Sequence, residues 1–216
     1  MPVTRRILWH FPQLPSMERC NLIEDTAANR LEGTVLTLLE AQPALIQYSV
    51  NCDSDWSTRD CTVRIEAGGS AAAVDLSRNS QGDSTTPVEL SRNSQGDSTT
   101  AVELSRNSQG VWFRAGEPAP EFDGCVDVDL GFSPCTNTLP IRRLGLRIGA
   151  AARIAAVWLR FPRLDVVRSD QIYTRLGTNL YRYQSGDGAF TAELVVDDHG
   201  IVTHYADLWR ELPGGA

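Results

Sequence analysis

Residues 125–146 read CVDVDLGFSPCTNTLPIRRLGL, and the two halves of that stretch follow different periods. CVDVDLGF alternates, with Val126, Val128 and Leu130 on one face and Cys125, Asp127 and Asp129 on the other. That is the period of a β-strand, whose successive side chains point to opposite faces. TNTLPIRRLGL breaks the alternation and predicts a short helix, with Thr138 as its N-cap and Pro140 in the first turn.

Outward from this stretch the strand period dominates. RRILWHF places Ile7 and Trp9 on one face, and RLEGTVLTLL and ALIQYSVNC follow, joined by a short connection containing proline. Downstream, ARIAAVWLRF, NLYRYQS, AFTAELVVD and GIVTHY continue the pattern, with SGDG and DDHG as turns and YADLWREL as a terminal turn. A dozen or more short strands with little helix predict a mainly β chain: a long antiparallel sheet curled into a barrel or roll. ILWHFPQL from Ile7 is echoed by VWLRFPRL from Val157, too short a likeness to establish two related halves.

Between these strands lies a repeat of different character. Near-identical 14-residue units start at Val74, Val88 and Val102, differing only where Asp75 becomes Glu89 and Glu103, and where Pro87 becomes Ala101. Repeat folds keep an apolar stripe while polar positions drift; here even Ser, Asn and Gln are identical, which points to a recent duplication. Each unit has little apolar surface to offset its ordering entropy. Excising residues 77–104 joins AAAVDL to SRNSQGVWFRAGEPAP, a strand, a turn and a second strand. The expectation is one domain over residues 1–212, with residues 77–104 inserted as a mobile hairpin loop. Lengthening such a loop costs little.

Composition excludes several function classes. The net charge is −7 and all 20 basic residues are arginine, scattered along the chain, which argues against a nucleic-acid footprint. No apolar run is long enough for a membrane-spanning helix and no secretory signal is read, so the expected location is the cytoplasm and not an integral membrane position. Five cysteines without a CxxC pair read as buried thiols. No Cys pair falls at ligand spacing with the three histidines, and His199 and His204 beside Asp197 and Asp198 are likewise not at ligand spacing. No metal and no cofactor is expected. Neither a G-x-S-x-G elbow nor a glycine-rich phosphate loop occurs.

The candidate site residues cluster around the predicted helix. Asp127 and Asp129 project from one strand face, where they suit sugar hydroxyls or acid–base work; the alternative is a solvated or arginine-paired face. Thr136, Asn137 and Thr138 offer hydrogen bonds, and Arg142 and Arg143 offer forks for an anion or anchors for the helix. Tyr181 and Tyr183 share a strand face, and with Trp9, Trp56 and Trp158 they supply rings for sugar stacking or simply for a core.

DGCVDVDLGFSPCTNTLPIRRLGL, AAVWLRFPRLDVV, YRYQSGDGAFTAELVVDDHGIV and YADLW, with the earlier LEGTVL and YSVNCDSDWSTRD, resemble the bacterial family named putative glycolipid-binding. The likeness covers essentially the whole chain apart from the insertion. It implies a spiral β-roll around one short helix and a cavity inside the wrap. The family's function is itself inferred from likeness of fold to lipid-handling proteins. The resulting expectation is non-catalytic binding of a glycolipid or other amphiphile. Its head would meet Asp127, Asp129, Asn137, Arg142, Arg143 and Tyr183, and its apolar part the inner wall. The alternatives are an enzyme using Asp127 and Asp129 on a sugar- or lipid-derived substrate, and a protein-interaction module with a filled interior.

Overall fold

The computed structural model describes residues 4–67, 90–92 and 98–213, with backbone alone at residues 90–92, 98 and 99. The first strands are β1 (Arg5–Phe11), β2 (Ser16–Glu24), β3 (Ala28–Leu39), β4 (Gln42–Asp53) and β5 (Thr58–Ala67). The central ones are β6 (Leu90–Arg92), β7 (Ser98–Arg106), β8 (Trp112–Arg114), β9 (Glu117–Pro118) and β10 (Asp127–Leu130). After the helix α1 (Thr138–Leu144) come β11 (Ala151–Leu159), β12 (Val166–Arg175), β13 (Leu180–Ser185), β14 (Phe190–Val196), β15 (Val202–Tyr205) and β16 (Trp209–Glu211).

The described strands form a single 16-stranded sheet ordered β10-β11-β12-β13-β14-β15-β16-β1-β2-β3-β4-β5-β7-β8-β9, with β6 branching from β7. Every described pairing is antiparallel except β10 with β11, where Asp127 faces Ala156 and Leu130 faces Leu159. The sheet does not close into a barrel. It spirals until β10, at one end of the path, comes back against β5 and β8. There Thr58 N–H donates to the Val126 carbonyl at 3.2 Å. The Val128 N–H donates to Thr58 Oγ1 at 3.1 Å, and the Trp112 indole N–H to the Cys125 carbonyl at 2.9 Å. The mainly β, largely antiparallel sheet expected from the alternation, and the roll around one short helix that the family resemblance implies, are the observed fold.

Local chemistry explains the longest hairpin. The β3–β4 turn closes from Leu39 to Gln42 over Glu40 and Ala41, both with positive φ (50° and 63°), as the twist of a two-residue hairpin requires. The proline assigned to this connection is instead inside β4, where Pro43 faces Leu38. The second hairpin is the β7–β8 pair made by the third repeat copy: the Gly110 N–H donates to the Asn107 carbonyl, and Arg106 faces Trp112. Of the postulated insertion, residues 98–104 belong to β7 and residues 90–92 to β6; residues 77–89 and 93–97 lie outside the described residues.

The helix departs from expectation at its start. Thr138 is the first helical residue, not the N-cap; Asn137 precedes it within a 3-10 turn over Cys135–Asn137. No side chain caps this helix, because its N-terminal half is enclosed and the neighbouring turn supplies the geometry. Leu139 packs in the larger core with Trp9, Val35, Ile46 and Leu159. Ile141 packs in a second core with Tyr173, Tyr183, Leu194 and Tyr205. The predicted terminal turn at YADLWREL is a turn followed by strand β16.

Antiparallel weaving places the β1–β2, β3–β4, β13–β14 and β15–β16 connections at one end of the sheet, here called the upper end. The C-termini of β5, β10 and β11 reach the same end. Among the described residues no helix is long and apolar enough to cross a membrane.

Candidate functional site

The carboxyl groups of β10 diverge although they are two residues apart. Asp127 is buried and gripped by Arg143, whose Nε donates to Oδ1 at 3.1 Å and whose Nη2 donates to Oδ2 at 2.5 Å. Burial pushes the Asp127 carboxyl above its ordinary range, with the Arg143 fork pulling the other way. Asp129 is half-buried and has no arginine. Gln171 Nε2 donates to its Oδ2 at 2.6 Å and Thr136 Oγ1 to its Oδ1 at 3.4 Å. Loss of water, opposed by these two neutral donors and reinforced by the Asp127 charge, pushes the Asp129 carboxyl up to about 6.

Asp129 opens onto a pocket of about 270 Å³ inside the upper end of the roll. Asn137 and Ser133 share its polar wall, and Trp158, Tyr183, Phe190, Tyr205 and Trp209 make the apolar one. The rings form a chain of edge and tilted contacts: Tyr183 lies 5.3 Å from Tyr173 and 5.9 Å from Phe190, and Tyr205 lies 5.3 Å from Trp209. Asn137 is fixed from both sides, its Nδ2 donating to the Pro134 carbonyl at 3.1 Å and its Oδ1 accepting from the Tyr173 hydroxyl at 2.8 Å. Burial pushes the hydroxyls of Tyr173, Tyr183 and Tyr205 up, so they remain neutral donors.

A second, apolar groove lies near the pocket, with Met17, Leu36 and Leu45 on the sheet face opposite the buried Glu18, Val35 and Ile46. Trp209 stacks on Phe11 at 5.1 Å, and Phe11 lines a second cavity of about 1100 Å³ with Leu14, Met17, Leu36, Leu45 and Leu212. Met17, Leu36 and Leu45 are cross-strand neighbours on β2, β3 and β4. Leu36 is 62% exposed, Met17 46% and Leu14 45%, so this surface is open to an apolar partner. His10, Arg64 and Glu66 edge it.

The chain matches the family described as "Putative glycolipid-binding" over residues 6–87 and again over residues 84–211. It belongs to that family. Its glycolipid-binding-family fold is also seen in the crystal structure of a DUF1089 family protein from Pseudomonas aeruginosa. That protein is 30% identical, with a TM-score of 0.70, and the match covers 91% of this chain and 92% of that one. No curated protein matches. The two family matches overlap at residues 84–87, inside the tandem units.

Within this member of the glycolipid-binding family, three of the six residues singled out from sequence, Asp129, Asn137 and Tyr183, line one pocket. The other three stand elsewhere. Asp127 and Arg143 hold each other, and Arg142 donates to Glu24 Oε1 at 2.6 Å while lying 5.1 Å over the Trp56 ring. His199 Nδ1 meets the same Glu24 at 3.1 Å, and Asp197 accepts the backbone N–H groups of His199 and Ile201. Tyr181 is buried on the Tyr183 face, and Trp9 is buried with its indole N–H on the Val202 carbonyl at 2.6 Å. Thr136 donates toward Asp129, while Thr138 Oγ1 is buried without a partner. The sequence reading missed Phe190, Tyr205 and Trp209. Each begins or ends a strand beside an upper-end turn, a positional signal visible in YQSGDGAF and HYADLW once the sheet end is known.

Proposed function

We propose that the protein binds a single amphiphile with an uncharged, sugar-like head, non-catalytically, at the upper end of the roll. The observation that carries this reading is the contact between Phe11 and Trp209, each of which lines one of two unlike cavities. The smaller has rings for the C–H faces of a sugar and Asp129, Asn137 and Ser133 for its hydroxyls. It contains no described cation, so a phosphate head gains no counter-charge there. The larger groove offers aliphatic side chains to the apolar tail. The family's description supports the same class of ligand.

The reading is tested by titrating an alkyl glucoside, kept below its micelle concentration, while following tryptophan fluorescence. Saturable binding is expected, weakened about tenfold by Trp209→Ala and by Leu36→Ser, roughly the loss of one buried apolar contact in each case. Non-saturable binding, or binding indifferent to both substitutions, overturns it. Release of free sugar during the titration would move the assignment to catalysis.

A further inference from the structure

A second polar cluster lies behind the pocket wall, and the amphiphile reading makes no use of it. Glu18 and Cys20 stand two apart on β2, so both point into the roll. Cys135 comes from the 3-10 turn that precedes α1. A carboxylate oxygen of Glu18 and the two sulfur atoms all lie within 4.8 Å of one another, and all three residues are buried. Glu18 Oε1 accepts from the Tyr48 hydroxyl and from Ser133 Oγ, the latter at 2.6 Å. Its Oε2 has no hydrogen-bond partner although Glu18 is only 2% exposed. A buried acceptor left empty is rare in proteins.

The surroundings hold this arrangement in place. Ser133 Oγ also accepts the Cys135 backbone N–H at 3.1 Å, so one hydroxyl positions two members of the cluster. The Tyr48 ring lies over Gly33 so closely that a Cβ there would sit 2.4 Å from the Tyr48 hydroxyl oxygen. Glycine is what lets the phenol reach Glu18. Partners that orient a ligand while leaving its metal-facing atom free are the usual outer shell of a metal site.

We propose that Glu18, Cys20 and Cys135 bind one thiophilic divalent cation, zinc by its chemistry, as a structural tie between β2 and the segment carrying α1. Two soft sulfurs and one carboxylate oxygen supply three of the four ligands of tetrahedral Zn²⁺, with a water as the fourth; Cu⁺ would be satisfied by the sulfurs alone and gives the carboxylate no role. Both thiols bind as thiolates, their protons passing to solvent, and the carboxylate supplies Oε2. No spacing of Cys with His reveals this set, because its members are joined by the curl of the sheet and not by a motif. Ser133 also lines the pocket, so the ion would stiffen the wall that presents Asp129 and Asn137.

Because the site is sealed, the metal is offered during folding. The full chain is produced in zinc-supplemented medium and its metal content measured; in parallel it is unfolded in chelator and refolded with Co²⁺. About one equivalent of zinc is expected, with thiolate-to-cobalt charge-transfer and tetrahedral absorption bands. Both signals should vanish in Cys20→Ser and in Cys135→Ser and persist in Cys125→Ser, whose sulfur lies near Arg168 instead. Near-ultraviolet circular dichroism establishes that each variant is folded; if a Ser variant is not, Glu18→Gln, expected to weaken Co²⁺ binding at least about tenfold, replaces it. Zinc below about a tenth of an equivalent together with no charge-transfer band after refolding overturns the proposal, as does a band that survives both serine substitutions.

Discussion

Asp127 and Asp129 sit on the same four-residue strand, yet their neighbourhoods differ in kind. On the Asp127 side a buried carboxylate faces a guanidinium, and the pair fastens α1 to β10. On the Asp129 side the carboxyl faces an amide, a hydroxyl and a chain of aromatic rings. A charge matched by a charge is structural ballast, because any third group would have to displace a partner already in fork geometry. A carboxyl held only by neutral donors keeps a proton within reach and retains capacity for another hydroxyl. The residue next to a pocket is thus distinguished less by its type than by what its neighbours leave unsatisfied.

The largest test of this contrast is Arg143→Ala. It strands a buried carboxylate and should cost about 3–5 kcal/mol in denaturant unfolding, with much of the loss recovered by adding Asp127→Asn. A cost below about 1 kcal/mol would mean that Asp127 finds water or another donor, and the two sides would no longer differ.

Thr136→Val comes next. The Thr136 hydroxyl accepts the Leu130 N–H at 3.1 Å and donates to Asp129, so its removal leaves a buried N–H unpaired at a cost of about 1–3 kcal/mol. It should also raise the Asp129 carboxyl further, since one of the two opposing hydrogen bonds is lost.

The pH dependence is smaller and has a definite sign. Asp129 is raised from 3.8 in the unfolded chain to about 6, so the folded state binds its proton more tightly. That stabilisation is complete below the unfolded value and is lost as pH rises through about 6. The groups around it are Asp127 on the same strand, Gln171 and Tyr173 on β12, Tyr183 on β13 and Tyr205 on β15. Asp129→Asn should remove this part of the decline in stability measured from pH about 4 to about 8. An unchanged slope would assign the decline to other groups.

The smallest expected effect serves as the reference. Arg182→Ala breaks an exposed pair with Glu193 at 3.4 Å and should change stability by less than about 0.5 kcal/mol. A larger effect would show that surface pairing on this sheet obeys different energetics from the buried pair.

The alternation of CVDVDLGF was enough to place a strand there, and it left the aspartate face open to a ligand, to solvent or to arginine pairing. Arginine pairing holds for Asp127, and solvation for neither, because β10 lies inside the spiral, covered by β5 on one side and by α1 and β12 on the other; alternation reports two faces without saying what covers each. Arg143 was legible as a partner for Asp127, being within reach along the chain. Gln171, Phe190 and Trp209 were not legible as companions of Asp129, since strand pairing over long sequence separations brings them together. The same physics hid Cys135 from Glu18. Thr138 was misread as a cap because the rule for exposed helix starts does not account for a 3-10 turn already satisfying the geometry.

Weaving also sorts the loops by parity. Those of one parity carry Phe11, Leu14, Phe190 and Leu208 around the two cavities. Those of the other are self-tied: Asp25 accepts the Thr26 N–H, Asp55 the Ser57 N–H, and Asp197 the N–H groups of His199 and Ile201, while Asn179 donates to the Val196 carbonyl. On the proposed reading such a chain has a working pole and a handle, and changes in the self-tied turns of the handle are expected to leave the two cavities intact.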